Sequence, residues 1–197
     1  SVGIFDLVLL GLWKPIFGIE PPNASIYANF DILGEIYAEF SGRAAGLPVF
    51  VAAAAEWIPG CRPEASFVLT KEAKDALEKT PPLMAKLKQY GSLERARKKL
   101  LLNESFIFEA IAILHVNSTE ELLDLLDEAL ADRERWTKSG SLAPPPLING
   151  NDLLALGMKS GPALRERLEE IRLAQLNEEI NTKEAALALV RAWLDQA

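Results

Sequence analysis

The stretch STEELLDLLDEALADRERW, residues 118–136, reads as an amphipathic helix and sets the class of the whole chain. Ser118 followed three residues later by Glu121 is a capping box, in which each side chain satisfies a backbone N–H at the helix start. Leu122, Leu125 and Leu126 follow at three-and-four spacing, so one face is apolar, and the helix is predicted to run to about Trp136. Beyond it, GSLAPPP at residues 140–146 stops any helix, because proline lacks the N–H a helix interior needs and favours an extended path. This places a boundary near residue 145. On its far side Asp152–Leu156, Pro162–Leu176 and Thr182–Leu194 are predicted helices, with turns at Gly157–Gly161 and Asn177–Asn181.

The same reading extends upstream. Thr70 with Glu72 is a cap and acidic first turn, opening a helix that Pro81-Pro82 is expected to close. Ser92 with Glu94 and Arg95 opens another, with Leu93, Ala96, Leu100 and Leu101 as its buried stripe, and Phe106, Ala110, Ile111 and Leu114 mark a third. Asn23 or Ser25 begins a helix through Phe30 and Phe40 that stops at Ser41-Gly42. Val49–Trp57, with four consecutive alanines, suits a helix packed closely on a neighbour, with a strand at 49–51 as the alternative. The fold class is therefore all-α: a helical body over residues 1–142 and a three-helix C-terminal module over 147–197.

Composition narrows the function. With 49% hydrophobic residues in 197, the chain can bury a sizeable core, and its net charge of -7 rules out a surface that is basic throughout. Any nucleic acid must be held by a local patch of cations. One cysteine, Cys61, forms no intramolecular disulfide and suits a reducing compartment, so the expected location is cytoplasmic. The apolar start Val2–Trp13 carries Asp6 and is shorter than the ~20 residues of a membrane span, so it reads as a buried helix and no membrane partner is expected. The chain starts at Ser1 rather than Met and reads as a fragment or processed product of something longer.

Leu147–Leu194 resembles the C-terminal segment of bacterial tRNA nucleotidyltransferases (CCA-adding enzymes) and poly(A) polymerases. The matching positions are Gly150, Asp152, Leu153, Leu156, Gly157, Gly161, Pro162, Gln175, Leu176, Glu179, Ile180, Thr182, Glu184, Ala186 and Leu187. Glu178 departs, standing where glycine is common in that family. Lys98–Ser118 is more loosely similar to the family's body helices at Phe108, Glu109, Leu114 and His115. The resemblance implies a neck, body and tail that hold the elbow and acceptor stem of tRNA, without the catalytic head.

The residues themselves agree that chemistry lies elsewhere. Nucleotidyl transfer needs carboxylates converging on a divalent metal beside a Gly-Ser turn. Gly91-Ser92 is followed only by Glu94 in a basic run, so it reads as helix capping. Asp124 and Asp127 lie one turn apart, as acids on solvated helices commonly do. A single histidine, His115, excludes a histidine-aspartate phosphohydrolase and leaves no zinc or Cys-His pair. No catalytic residue and no metal ligand is assigned. Mg and a nucleoside triphosphate, the cofactors implied by the resemblance, would belong to the catalytic head.

Two binding features remain. Lys86, Lys88, Arg95, Arg97, Lys98 and Lys99 put six cations within fourteen residues, enough for sequence-independent phosphate contacts, with Tyr90 available to stack on a base. The turn Gly157–Pro162 joins two helices, and Gly161 leaves the next helix start open to a phosphate, with Lys159, Arg165 and Arg167 nearby. The first feature also reads as a solvated face and the second as a tight packing turn. The expected partners are tRNA or another RNA, a catalytic domain of the same polypeptide, or a second copy of the chain as a homo-oligomer. The competing function is a helical protein-interaction scaffold with no RNA role, and a third reading is a degenerate family member that keeps only the fold.

Overall fold

A computed structural model describes residues 9–66 and 68–194, and among these the only regular elements are helices. They are α1 Trp13–Phe17, α2 Ala24–Ser41, α3 Leu47–Trp57, α4 Pro63–Ser66, α5 Lys71–Leu87, α6 Arg95–Leu102, α7 Ile107–Val116, α8 Glu120–Lys138, α9 Gly150–Ala155, α10 Pro162–Leu176 and α11 Lys183–Leu194. The all-α expectation holds, and the strand alternative at 49–51 gives way to α3. The predicted helix Val2–Trp13 lies mostly outside the described residues. Of its described part, Leu9, Leu10 and Leu12 are exposed and Trp13 is buried. Among the described residues no helix is long and apolar enough to cross a membrane.

The chain divides into two compact units, one of residues 1–90 with 104–130 and one of residues 91–103 with 131–197. In the first, α7 is the centre. It is mostly apolar, with Ile107, Glu109 and the run Ala110–Leu114 all buried, and such a helix is stable only when surrounded. It is packed by α2, α3 and α5. The alanines of α3 do what their size allows: Ala52 and Ala53 are buried where α3 lies against α5. Phe30 of α2 meets the Trp57 ring at 5.3 Å. As expected, α2 ends at Gly42, whose left-handed φ of 67° lets its N–H reach Ala38 O.

Several helix ends differ from the sequence reading. Thr70 does cap α5, accepting from Ala73 N, but α5 runs through Pro81 and Pro82 instead of stopping. A proline inside a helix costs about 3 kcal/mol. Past the pair, however, Leu83, Met84 and Leu87 continue the buried stripe of Ala73, Ala76 and Thr80, and burial of each such large side chain is worth roughly 2 kcal/mol. Both prolines are exposed, on the side of α5 away from that stripe. Ser118 is not the cap of α8. Its hydroxyl donates back to Leu114 O at the end of α7, and Thr119 supplies the carbonyl that receives Leu123 N. Likewise Ser92 lies in a short 3-10 turn, Tyr90–Ser92, and the cap position of α6 is Glu94.

In the second unit a small core forms from Ile148, Leu153, Ile171, Ala186 and Val190, with Leu164, Leu168 and Trp193 packed around it. This is the predicted three-helix module, α9 to α11. Its first helix is closed by a capping box missed in the sequence: Asn149 Oδ1 accepts from Asp152 N, and Asp152 accepts from Asn149 N. The unit also contains α6, which packs on α10. The Gly140–Pro146 stretch runs within this unit. Arg172 of α10 donates to Pro144 O at 2.7 Å and Gln175 to Pro145 O at 2.8 Å.

Candidate nucleic-acid interface

The six predicted cations and Tyr90 are divided between the two units. Lys86, Lys88 and Tyr90 belong to the first unit, and Arg95, Arg97, Lys98 and Lys99 to the second. Lys86 and Lys88 are exposed on and just past the end of α5, and Arg97 is exposed on α6. Tyr90 is fully buried, so its ring has no face for a base, which corrects the stacking role. Lys99 is also corrected. It is 1% exposed, while Leu100, expected in the stripe, faces outward. The helical period is kept, but a lysine fills the inward position.

Lys99 is held inside by specific partners. Its Nζ lies 2.8 Å from Glu178 Oε1 and 5.3 Å from the centre of the Trp136 ring. Arg95 meets the other oxygen of Glu178 at 2.6 Å, and Ala96 N donates to Asn177 Oδ1 at 2.8 Å. The turn after α10 therefore caps the start of α6 and neutralises its buried lysine. To reach both cations Glu178 takes a left-handed φ of 66°, a conformation that costs an ordinary residue about 1 kcal/mol. The glycine common here in the resembling family would adopt it freely. This chain trades that freedom for a carboxylate.

The Glu178 carboxyl is held below its ordinary 4.5 by the bond from Lys99 and by the charges of Lys99 and Arg95. A lowered carboxyl pKa stabilises the fold above the unfolded value, and that contribution disappears as pH falls through the folded one. The stability gap between wild type and Glu178→Gln is therefore expected to be wide at pH 7 and to narrow below about pH 4, as urea unfolding at pH 7 and pH 3 would measure. An unchanged gap would contradict the pairing.

At the second feature, Gly157 and Gly161 both have positive φ, 92° and 155°. No side chain caps α10, and Pro162 occupies its first turn, so the amides of Ala163 and Leu164 begin the helix without a side-chain partner. Lys159 and Arg165 are exposed beside this start. Arg167 is not available in the same way, because its guanidinium stacks on Trp193 at 4.6 Å and pairs with Glu170 at 2.6 Å. The module is also tied by Lys183, which meets Asp152 at 2.6 Å. That bond, with the one from Asn149 N, holds the Asp152 carboxyl below its usual range.

The other chemistry-bearing residues pack within the helices or face solvent. Glu109 is buried in the first unit and accepts from Tyr37 Oη at 2.8 Å, while Arg43 donates to the same phenol oxygen at 3.2 Å. Burial and that carboxylate push Tyr37 up to about 12, so it stays protonated as a donor. His115 packs edge-on to Phe40 at 5.2 Å near the end of α7, as a helix-end residue should. Cys61 is buried, and burial with nearby Glu64 raises its thiol pKa. Asp124 and Asp127 are exposed on α8. Among the described residues no three metal-ligating side chains converge.

The described residues thus define an all-helical protein with exposed cations at the start of α6 and beside the Gly157–Pro162 turn. No family model matches the chain, and no solved structure matches it. It is 33% identical over 113 residues to an A-adding tRNA nucleotidyltransferase of Deinococcus radiodurans, a match covering 45% of this chain and 26% of that protein. The aligned part is about a quarter of the relative's length. The likeness is distant and covers only part of each chain.

Proposed function

We propose that this chain is the RNA-holding helical region of a protein of the tRNA nucleotidyltransferase and poly(A) polymerase type, acting in the cytoplasm. The likeness to the A-adding tRNA nucleotidyltransferase carries the reading. The C-terminal module supports it, because Leu153, Leu176 and Ala186, positions of the resemblance, are core residues, and Asp152 completes a capping box. Nucleotide addition, with its Mg and nucleoside triphosphate, falls to a catalytic domain outside this segment. The residues here grip the backbone of tRNA through Arg97, Lys159 and Arg165, with the open amides of α10 adding an uncharged contact.

In a filter or anisotropy titration, tRNA is expected to bind with log Kd rising steeply with log salt. Replacing Arg97, Lys159 and Arg165 together by alanine should weaken binding at least tenfold and flatten the slope by about one unit per lost phosphate contact. A folded sample that binds no tRNA at low salt would overturn the reading and favour the scaffold alternative.

A further inference from the structure

We propose that a groove of the second unit, lined by Arg95, Arg135, Trp136, Ser139, Ser141 and Glu178, is a phosphate-binding site whose occupant is a backbone phosphate of RNA. The choice of occupant rests on the function proposed above; the phosphate chemistry does not. The groove is shallow and open to solvent, with about 470 Å³ of space. Its walls come from the start of α6, the end of α8 and the turns that follow α8 and α10.

What sets it apart from an ordinary pair of surface arginines is that both guanidinium groups are already held. Arg135 is 66% exposed, yet its head lies 5.4 Å from the centre of the buried Trp136 ring and 2.5 Å from Asp132. Arg95, 52% exposed, is fixed by Glu178, which is itself fixed by buried Lys99. A side chain ordered before binding loses little entropy on binding. Each guanidinium carries five N–H donors in a fork that suits phosphate, so one carboxylate contact leaves others to bond. Beside them, on a turn that Gly140 makes possible with a φ of 69°, the Ser139 hydroxyl donates to Trp136 O at 3.2 Å and stands 2.8 Å from that of Ser141, which is left as the hydroxyl able to turn to the groove. Its lining carries two cations, Arg95 and Arg135, against one carboxylate, Glu178, in a chain of net charge -7.

The test uses the whole chain and the variants Arg135→Gln and Ser139→Ala/Ser141→Ala, separately and combined. Two probes are applied: a tRNA transcript by anisotropy, and inorganic pyrophosphate by the shift of the Trp136 indole N–H resonance, assigned with Trp136→Phe. The combined variant is expected to keep its melting temperature, bind tRNA five- to tenfold more weakly and lose about one unit of salt slope. Unchanged tRNA binding, with an indole that pyrophosphate moves only in the wild type, would overturn the RNA occupant and leave a small-phosphate site. Unchanged tRNA binding and an unmoved indole would overturn the site altogether. Absence of tRNA binding by the wild type would instead overturn the proposed function, and the pyrophosphate titration would then decide the groove by itself.

Discussion

Leu153→Ala is expected to destabilise the second unit by about 3 kcal/mol, because truncating a fully buried leucine loses its transfer energy and leaves a cavity. Leu153 is 0% exposed and packs with Ile148, Ile171, Ala186 and Val190, which between them come from the α9 approach, α10 and α11. So small a core has little to close around the gap. Leu153 O also receives Met158 N at 3.2 Å, which folds back the Gly157 turn. The loss should therefore extend to tRNA binding through Lys159. Leu153→Met keeps the volume and should cost under about 1.5 kcal/mol. Urea midpoints of the two variants check this, and a loss below about 1 kcal/mol for alanine would mean the module does not depend on this core.

Substitutions at Glu178 should separate backbone strain from charge. Glu178→Gln keeps the left-handed backbone and removes the carboxylate facing a 1% exposed Lys99. Breaking a fully buried pair costs 3–5 kcal/mol; because Glu178 itself is half exposed and water reaches it, about 2 kcal/mol is expected. Glu178→Gly loses the same charge but gains a residue at ease with positive φ, so it should be the milder change by about 1 kcal/mol. Lys99→Met removes the buried charge itself and leaves Glu178 with Arg95, so it should cost less than either. The predicted order of stability is wild type, then Lys99→Met, Glu178→Gly and Glu178→Gln. Glutamine ranking above glycine in chemical denaturation would refute the strain argument.

These residues also show where sequence stopped being informative. The helices α10 and α11 were legible almost to the residue, because Gly161-Pro162 and Thr182 are local punctuation and the apolar period between them is long. The body helices were legible as helices but not at their ends. Ser118 resembles a cap, yet its hydroxyl turns back to Leu114 because α7 ends only two residues earlier. Pro81-Pro82 reads as a stop, and only packing of the residues after it overrides that.

The basic run misled for a different reason. In sequence Lys99 is one of four cations in five residues, and a solvated face is the natural reading. Its partner is Glu178, 79 residues away, and no local pattern announces such a pair. Arg135, Ser139 and Ser141 went unnoticed because they are spread over the last turn of α8 and the start of the linker that follows it. The adjacency of Arg135 to Trp136 was the one available hint.

The fastening of the proline run by α10 has a geometric consequence. Consecutive prolines expose carbonyls without any N–H of their own, so the segment can only be held from its acceptor side. Arg172 and Gln175, three residues apart and hence on one helix face, take the successive carbonyls of Pro144 and Pro145. The two side chains work as a vernier: they fix which residue of the passing strand sits at which point along α10. Contour length between α8 and α9 is thereby metered, and Asn149 arrives where its side chain can start α9.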